Sequence, residues 1–167
     1  MSAQFPALHF PEYPDLQIQY HQGKPVLFDP IRRKKVAASP EEWVRQHLLR
    51  FLLHDRQYPR WALSVEMGLI LNGMIRRCDL AAFSPKAEPL LIAECKATHI
   101  PLSNAVFEQI AAYNLTMHVP YLLITNGLQT QCCYINYHNK QITFLQDIPF
   151  FNDLRVEMPK NAPNKNT

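Results

Sequence analysis

The Asn72-Gly73 step constrains this chain most. It joins two runs of strand character. In Trp61 to Leu71, Leu63, Val65, Met67 and Leu69 alternate with Ser64, Glu66 and Gly68, and Met74 to Phe83 returns from the turn. Asn-Gly tolerates the positive φ values of a type I′ turn, whose twist suits the flanking strands, so the centre of the chain is predicted to be an antiparallel hairpin. After a Ser84-Pro85-Lys86 loop, Pro89 to Lys96 reads as a third strand. Ser103 caps a helix predicted to reach about Met117, with Val106, Phe107, Ile110 and Leu115 as its apolar positions and Pro120 closing it. Tyr121 to Thr125 is a short continuous apolar run, the pattern of a strand buried on both faces. A helix between two strands implies a parallel crossover, so the expected sheet is mixed and the fold class α/β.

Ser39-Pro40-Glu41-Glu42 opens an earlier helix, with Ser39 as N-cap, Pro40 at N1 and Glu42 completing a capping box. Val44, Leu48, Phe51 and Leu52 form its apolar stripe. Glu42 has a capping role and Glu41 has none, which makes Glu41 the more interesting carboxylate. Leu16 to Tyr20 and Pro25 to Phe28 suggest a hairpin turning at Gly23, and Gln131 to Tyr137 with Gln141 to Leu145 a last hairpin. Residues 1–24 are read as an extension and first hairpin strand, 25–150 as the single folded domain, and 151–167 as a flexible polar tail. The first fifteen residues, with three prolines, are expected to run extended over the surface. Arg32-Arg33-Lys34-Lys35 is either a solvated connection or a phosphate-contacting patch.

At 167 residues the chain has enough length for one buried core, and 47% hydrophobic residues mark it as globular. The net charge of +3 neither requires nor excludes a nucleic-acid partner. No run of about 18 apolar residues occurs, so no membrane span is expected. Met1 to Phe10 lacks the basic start and apolar stretch of a secretory signal, so the expected compartment is the cytoplasm. Cys78, Cys95, Cys132 and Cys133 have neither disulfide-framework nor zinc spacing and are read as packed, reduced thiols.

Chemistry concentrates at Asp79, Glu94 and Lys96. Glu94 and Lys96 leave the same face of their strand, following Leu90 and Ile92. Two charges ending an apolar face are costly unless paired or bound to something. If the neighbouring strands pair antiparallel, Asp79 converges on Glu94. Two hard oxygen donors with room for water suit Mg²⁺ or Mn²⁺, and a lysine beside them can orient or deprotonate the attacking water of a phosphodiester hydrolysis. The bland alternative is a Lys–Glu pair that only stabilises a strand end.

Asp79, fifteen residues before Glu94-Cys95-Lys96, resembles the PD-(D/E)XK nuclease signature. Around it, in order, stand Pro40-Glu41-Glu42-Trp43-Val44-Arg45-Gln46, Arg76-Arg77-Cys78-Asp79, Ile92-Ala93-Glu94-Cys95-Lys96-Ala97, Gln109-Ile110-Ala111-Ala112-Tyr113-Asn114 and Leu123-Ile124-Thr125-Asn126-Gly127. Together these words resemble the nuclease domain at the N-terminus of type I restriction enzyme R subunits and small stand-alone bacterial proteins similar to it. The resemblance implies a restriction-endonuclease-like domain with an αβββαβ core. It implies that Asp79, Glu94 and the Cys95 backbone carbonyl hold the divalent metal, joined by Glu41 directly or through water. It implies that Lys96 acts on the attacking water, and that Gln109 and Tyr113 position the site or a phosphate. Cys78 stands where the signature has proline.

Arg76 and Arg77 either contact a nucleic-acid backbone or solvate the strand, and His99 is a candidate phosphate contact. Glu66 is an auxiliary carboxylate, or an exposed residue or arginine partner. Trp43 and Trp61 are read as packing residues. The chain has no Walker phosphate loop, hence no nucleotide cofactor of its own. The expected function is a metal-dependent nuclease acting on DNA, with a homodimer or helper subunit as further partner. The alternative is a nucleic-acid-binding or partner-dependent module on the same scaffold with little activity alone.

Overall fold

The computed structural model describes residues 5–155, except 72–73, 104–106, 109–110, 112–113 and 115–117, with no side chains described over 69–76. Its centre is a six-stranded sheet of β4 (Leu63–Leu71), β5 (Met74–Phe83), β6 (Pro89–Cys95), β7 (Tyr121–Thr125), β8 (Thr130–Asn136) and β9 (Gln141–Leu145), in that order. β4 and β5 pair antiparallel from Leu63↔Ala82 to Leu71↔Met74, as the hairpin reading requires. The Asn72-Gly73 turn itself lies outside the described residues. β6 and β7 pair parallel from Leu91↔Tyr121 to Cys95↔Thr125, and every other neighbouring pair is antiparallel. The mixed α/β sheet expected from the pattern is therefore present. Phe107, Glu108, Ala111 and Asn114, in the crossover between β6 and β7, are helical.

All five residues of β7 are buried, which is why its sequence does not alternate. One face of the sheet packs Leu80, Leu91, Ala93 and Leu123 against Val44, Leu48, Leu49 and Leu52. The other packs Ala81, Ile92, Leu122 and Ile124, with Phe107 and Ala111 against them. All four cysteines are free and buried, as their spacing suggested. Burial pushes the Cys132 thiol up to about 12 and those of Cys78 and Cys133 to about 11, so they pack as neutral groups. Among the described residues no helix is long and apolar enough to cross a membrane.

α1 (Pro40–Arg50) starts as its sequence dictates: Ser39 Oγ accepts from the Glu42 N–H at 3.0 Å, with proline in the first turn. The reciprocal half of the capping box does not form, because the Ser39 N–H donates to the Ala37 carbonyl and the Glu42 carboxylate turns to arginines. A charge-assisted bond to a buried guanidinium outcompetes one to a neutral amide. The helix continues as a π-helical turn, Phe51–Asp55, before Tyr58.

The N-terminal part differs from expectation in two ways. The hairpin is a three-stranded sheet, β1 (Gln19–His21), β2 (Lys24–Asp29) and β3 (Lys34–Ala37), so half of the basic run is strand and not connection. The leading segment is also anchored. Phe5 is buried against Trp43 with ring centroids 5.6 Å apart, the Trp43 indole donates to the Pro6 carbonyl, and the His9 N–H donates to the Gly127 carbonyl. Gly127 has φ +83°, a left-handed conformation that strains any other residue, and a Cβ there would also push aside the Leu8 side chain, whose end lies 2.8 Å away. Trp61 is more exposed than a core or half-buried packing residue, and it packs edge-on against Phe151 with ring centroids 5.7 Å apart.

His47 is buried beside Trp43, and its Nδ1–H donates to the Trp43 carbonyl. Burial lowers its pKa, and Arg50 adds to this. As pH falls, the unfolded chain takes up this proton first. The contribution of neutral His47 to stability is thus complete above about pH 6.5 and is lost as pH falls through the lowered folded value. Urea midpoints measured from pH 7.5 downward should decline more steeply for the wild type than for His47→Gln. Parallel pH profiles would refute the assignment.

Candidate metal and catalytic site

The antiparallel pairing of Leu80 with Ala93 brings Asp79 on β5 and Glu94 on β6 to the same end of two adjacent strands. Asp79 Oδ2 accepts from the Cys95 N–H at 2.6 Å, which ties the aspartate to the end of β6. Lys96 Nζ donates to Glu94 Oε1 at 2.7 Å, and the Lys96 N–H donates to the Thr125 carbonyl at 2.8 Å, fixing this lysine to β7. Both side chains of the pair stay about a quarter exposed, at 28% for Lys96 and 27% for Glu94. Burial raises the Glu94 pKa and the charge of Asp79 raises it further, against the pull of Lys96. Burial opposes the Lys96 charge, but the hydrogen bond and charge of Glu94, with Asp79 and Glu41, outweigh it and hold its pKa above the ordinary value. Lys96 thus places a positive charge beside Glu94, suited to orient water or stabilise anionic charge.

A second layer lies behind this pair, and sequence reasoning missed it. Arg45, 5% exposed, donates to Asp79 Oδ1 at 2.7 Å, to Glu42 Oε2 and to Glu41 Oε1 at 3.0 Å. Burial works against its charge, yet Asp79 and Glu42 more than compensate and raise its pKa. Arg32, one residue of the basic run, bonds Asp29, Glu42 and Glu66. Glu66 lies between the pairs Val65↔Leu80 and Met67↔Cys78 and so faces Asp79 across the hairpin. Its φ of +51° is a left-handed conformation inside a strand, a strain on the order of 1–3 kcal/mol. The ion pairs to Arg32 and, at 3.7 Å, to Arg45 hold it there. Glu66 is thus an arginine partner, one of the readings its sequence allowed. The signals available were the helical spacings of Glu41 and Glu42 from Arg45, which place them on one face.

Asp79, Glu94, Lys96 and Cys95 are thus brought together. For Cys95, the structure shows the N–H bonded to Asp79 and a fully buried side chain. Glu41, with 45% of its side chain exposed, reaches the cluster through Arg45 and through its charge on Glu94 and Lys96. Arg77 is exposed on β5, and His99 is exposed in the turn after β6. Gln109, Tyr113 and the side chain of Arg76 lie outside the described residues.

Among the described residues no three His, Cys, Asp or Glu side chains are grouped to hold a metal ion. Mg²⁺ does not need such a cage, since it keeps several waters and is commonly held by one or two carboxylates. Asp79 and Glu94 supply two hard donors, and both burial and, secondarily, the Asp79 charge disfavour the Glu94 carboxylate, a cost that a cation would offset. The donor set therefore fits a divalent cation held by Asp79 and Glu94.

The family model described as type I restriction enzyme R protein N terminus (HSDR_N) matches residues 40–149, about two-thirds of the chain. No curated protein is significantly similar to the chain. Among solved structures, it is similar to a fragment described as an HsdR subunit of a type I restriction enzyme from Vibrio vulnificus YJ016. The TM-score is 0.52 at 14% identity, over 68% of this chain and 24% of that one. That likeness is one of fold, and this chain spans about a quarter of that fragment's length.

Proposed function

Because the chain belongs to the family of type I restriction enzyme R protein N termini, we propose that it is a divalent-metal-dependent nuclease, hydrolysing phosphodiester bonds of DNA at the Asp79–Glu94–Lys96 cluster. The observation that carries this reading is the convergence of two carboxylates from adjacent strands with a lysine held as an ammonium 2.7 Å from one of them. When bound, Mg²⁺ or Mn²⁺ supplies Lewis acidity toward the phosphate. The Cys95 N–H and the Arg45 guanidinium hold Asp79 in place, and Lys96 offers a donor and a positive charge where anionic charge builds. The exposed fraction of Glu94 and Lys96 leaves the pair open to water and substrate. In the type I setting this activity would serve a multi-subunit enzyme acting on DNA in the cytoplasm.

The test is cleavage of plasmid and single-stranded DNA with Mg²⁺, Mn²⁺ or EDTA, wild type beside Asp79→Ala. Metal-dependent cutting should fall at least a hundredfold in the variant, on the scale of losing a positioned charge in a catalytic site. Wild type that binds metal and leaves DNA intact, alone and with its partner subunits, would reject the proposal.

A further inference from the structure

We infer that the outer face of the three-stranded sheet is a binding platform for single-stranded nucleic acid, with Phe28 as a base-stacking surface and Lys24 and Lys35 as phosphate contacts. The inference rests on the nuclease reading only for the choice of polyanion. The sheet has two unlike faces. Leu27 and Asp29 of β2 are fully buried, and Leu27 joins Phe5, Leu16, Ala38 and Trp43 in a small core. Lys24 and Phe28 alternate with them and are exposed, Phe28 to 44%. The register sets His21 opposite Lys24 and Lys35 opposite Phe28. Facing residues in an antiparallel pair are about 5 Å apart, and Lys24 lies roughly 13 Å along the strand from Phe28. An exposed aromatic ring thus has one lysine beside it and a second farther along the same face.

Charge complementarity identifies the occupant. The acidic residue of this sheet, Asp29, points inward, where it accepts from the Ile31 and Arg32 N–H groups, Arg32 Nε and Gln46 Nε2. Neither Lys24 nor Lys35 is ion-paired with any described residue. Cations around a bare aromatic face combine backbone attraction with sequence-tolerant stacking, which suits unpaired bases and gives nothing for a duplex to stack on. Location supports the same occupant. Arg32, in the β2–β3 turn, is locked onto Glu42 and Glu66, so the platform is tied to the carboxylate cluster.

The experiment is fluorescence anisotropy with labelled oligothymidylate in EDTA over a range of salt, using the full chain. Lys24→Ala/Lys35→Ala should lower the slope of log affinity against log salt by about 1.4, the loss of two phosphate contacts on a single strand. Phe28→Ala should weaken binding about tenfold at every salt concentration. Tyr20→Ala, exposed but in register with inward-facing Pro25, should leave affinity unchanged. All three sites are on the surface, and circular dichroism checks that each variant is folded. Wild type without measurable binding, an unchanged salt slope in the double lysine variant, or equal weakening by Tyr20→Ala and Phe28→Ala would each overturn the inference. Equal weakening of a hairpin duplex by Phe28→Ala would overturn its single-strand assignment. Metal-free binding is read separately from cleavage, so wild type that binds here and never cuts would reject the nuclease and leave the platform standing.

Discussion

Lys96→Ala should lose about a hundred- to a thousandfold in single-turnover DNA cleavage while keeping its fold and binding Mn²⁺ within a few-fold of wild type. The size follows from removing one preorganised charge donor from a partly dehydrated site. Lys96 is positioned from two sides, by Glu94 at its ammonium and by Thr125 at its backbone. Its raised pKa keeps it cationic at neutral pH, so its contribution is charge and orientation. Stability should change by less than about 1 kcal/mol, because the Glu94 pair is partly solvated and such pairs contribute little. Lys96→Arg keeps a charge but replaces a compact ammonium with a broad fork, so its rescue should be partial. Cleavage by Lys96→Ala within threefold of wild type would remove the lysine from the mechanism.

Arg45→Ala should be the most destabilising single change in the site, costing about 3–5 kcal/mol. The guanidinium is 95% buried and neutralises Asp79, Glu42 and Glu41 together. Removing it leaves the buried Glu42 and the half-buried Asp79 facing each other with less compensation. Arg32 would still bond Glu42, and the Cys95 N–H would still bond Asp79, which keeps the loss below complete unfolding. For a domain of this size, a melting temperature lower by roughly 6–20 °C corresponds to that range. Arg45→Lys should fall between the two, because an ammonium cannot reach three carboxylates in one plane. Thermal and urea melts of the three proteins decide it: an alanine variant within 1 kcal/mol of wild type would show that the network is incidental.

The local patterns that proved legible were those in which a short stretch determines its own state. Ser39-Pro40 starts α1 because the cap and the fixed φ act within one turn. Leu63 to Phe83 folds back because its alternation continues on both sides of a turn dipeptide, although Trp61 and Ala62, read as the start of the strand, belong to a 3-10 turn. Tyr121 to Thr125 reads as a doubly buried strand because nothing polar interrupts it. Glu94 and Lys96 were legible as a pair because the two-residue period of a strand places them on one face. The turn at Asn72-Gly73, Gln109, Tyr113 and residues 156–167 remain expectations, since they lie outside the described residues, whereas the start of the expected tail is ordered: Phe151–Asp153 forms a 3-10 turn, and Phe151 and Leu154 pack against the core because they are apolar.

Long-range electrostatics was not legible. Arg32 looks like its three basic neighbours in sequence, yet it is the one that is half-buried and ion-paired with Asp29, Glu42 and Glu66. Glu42 carries a capping signature, yet its carboxylate serves two arginines. Glu66 and Asp79 meet through hairpin register, and Arg45 reaches Asp79 from a helix 34 residues away in sequence. Local spacing by itself determined the hairpin, the first helix, the crossover and the pairing of Glu94 with Lys96, because hydrophobic period and turn chemistry act over a few residues. Only the tertiary structure decided which charges neutralise which, because an ion pair depends on the distance left between groups after the core has packed.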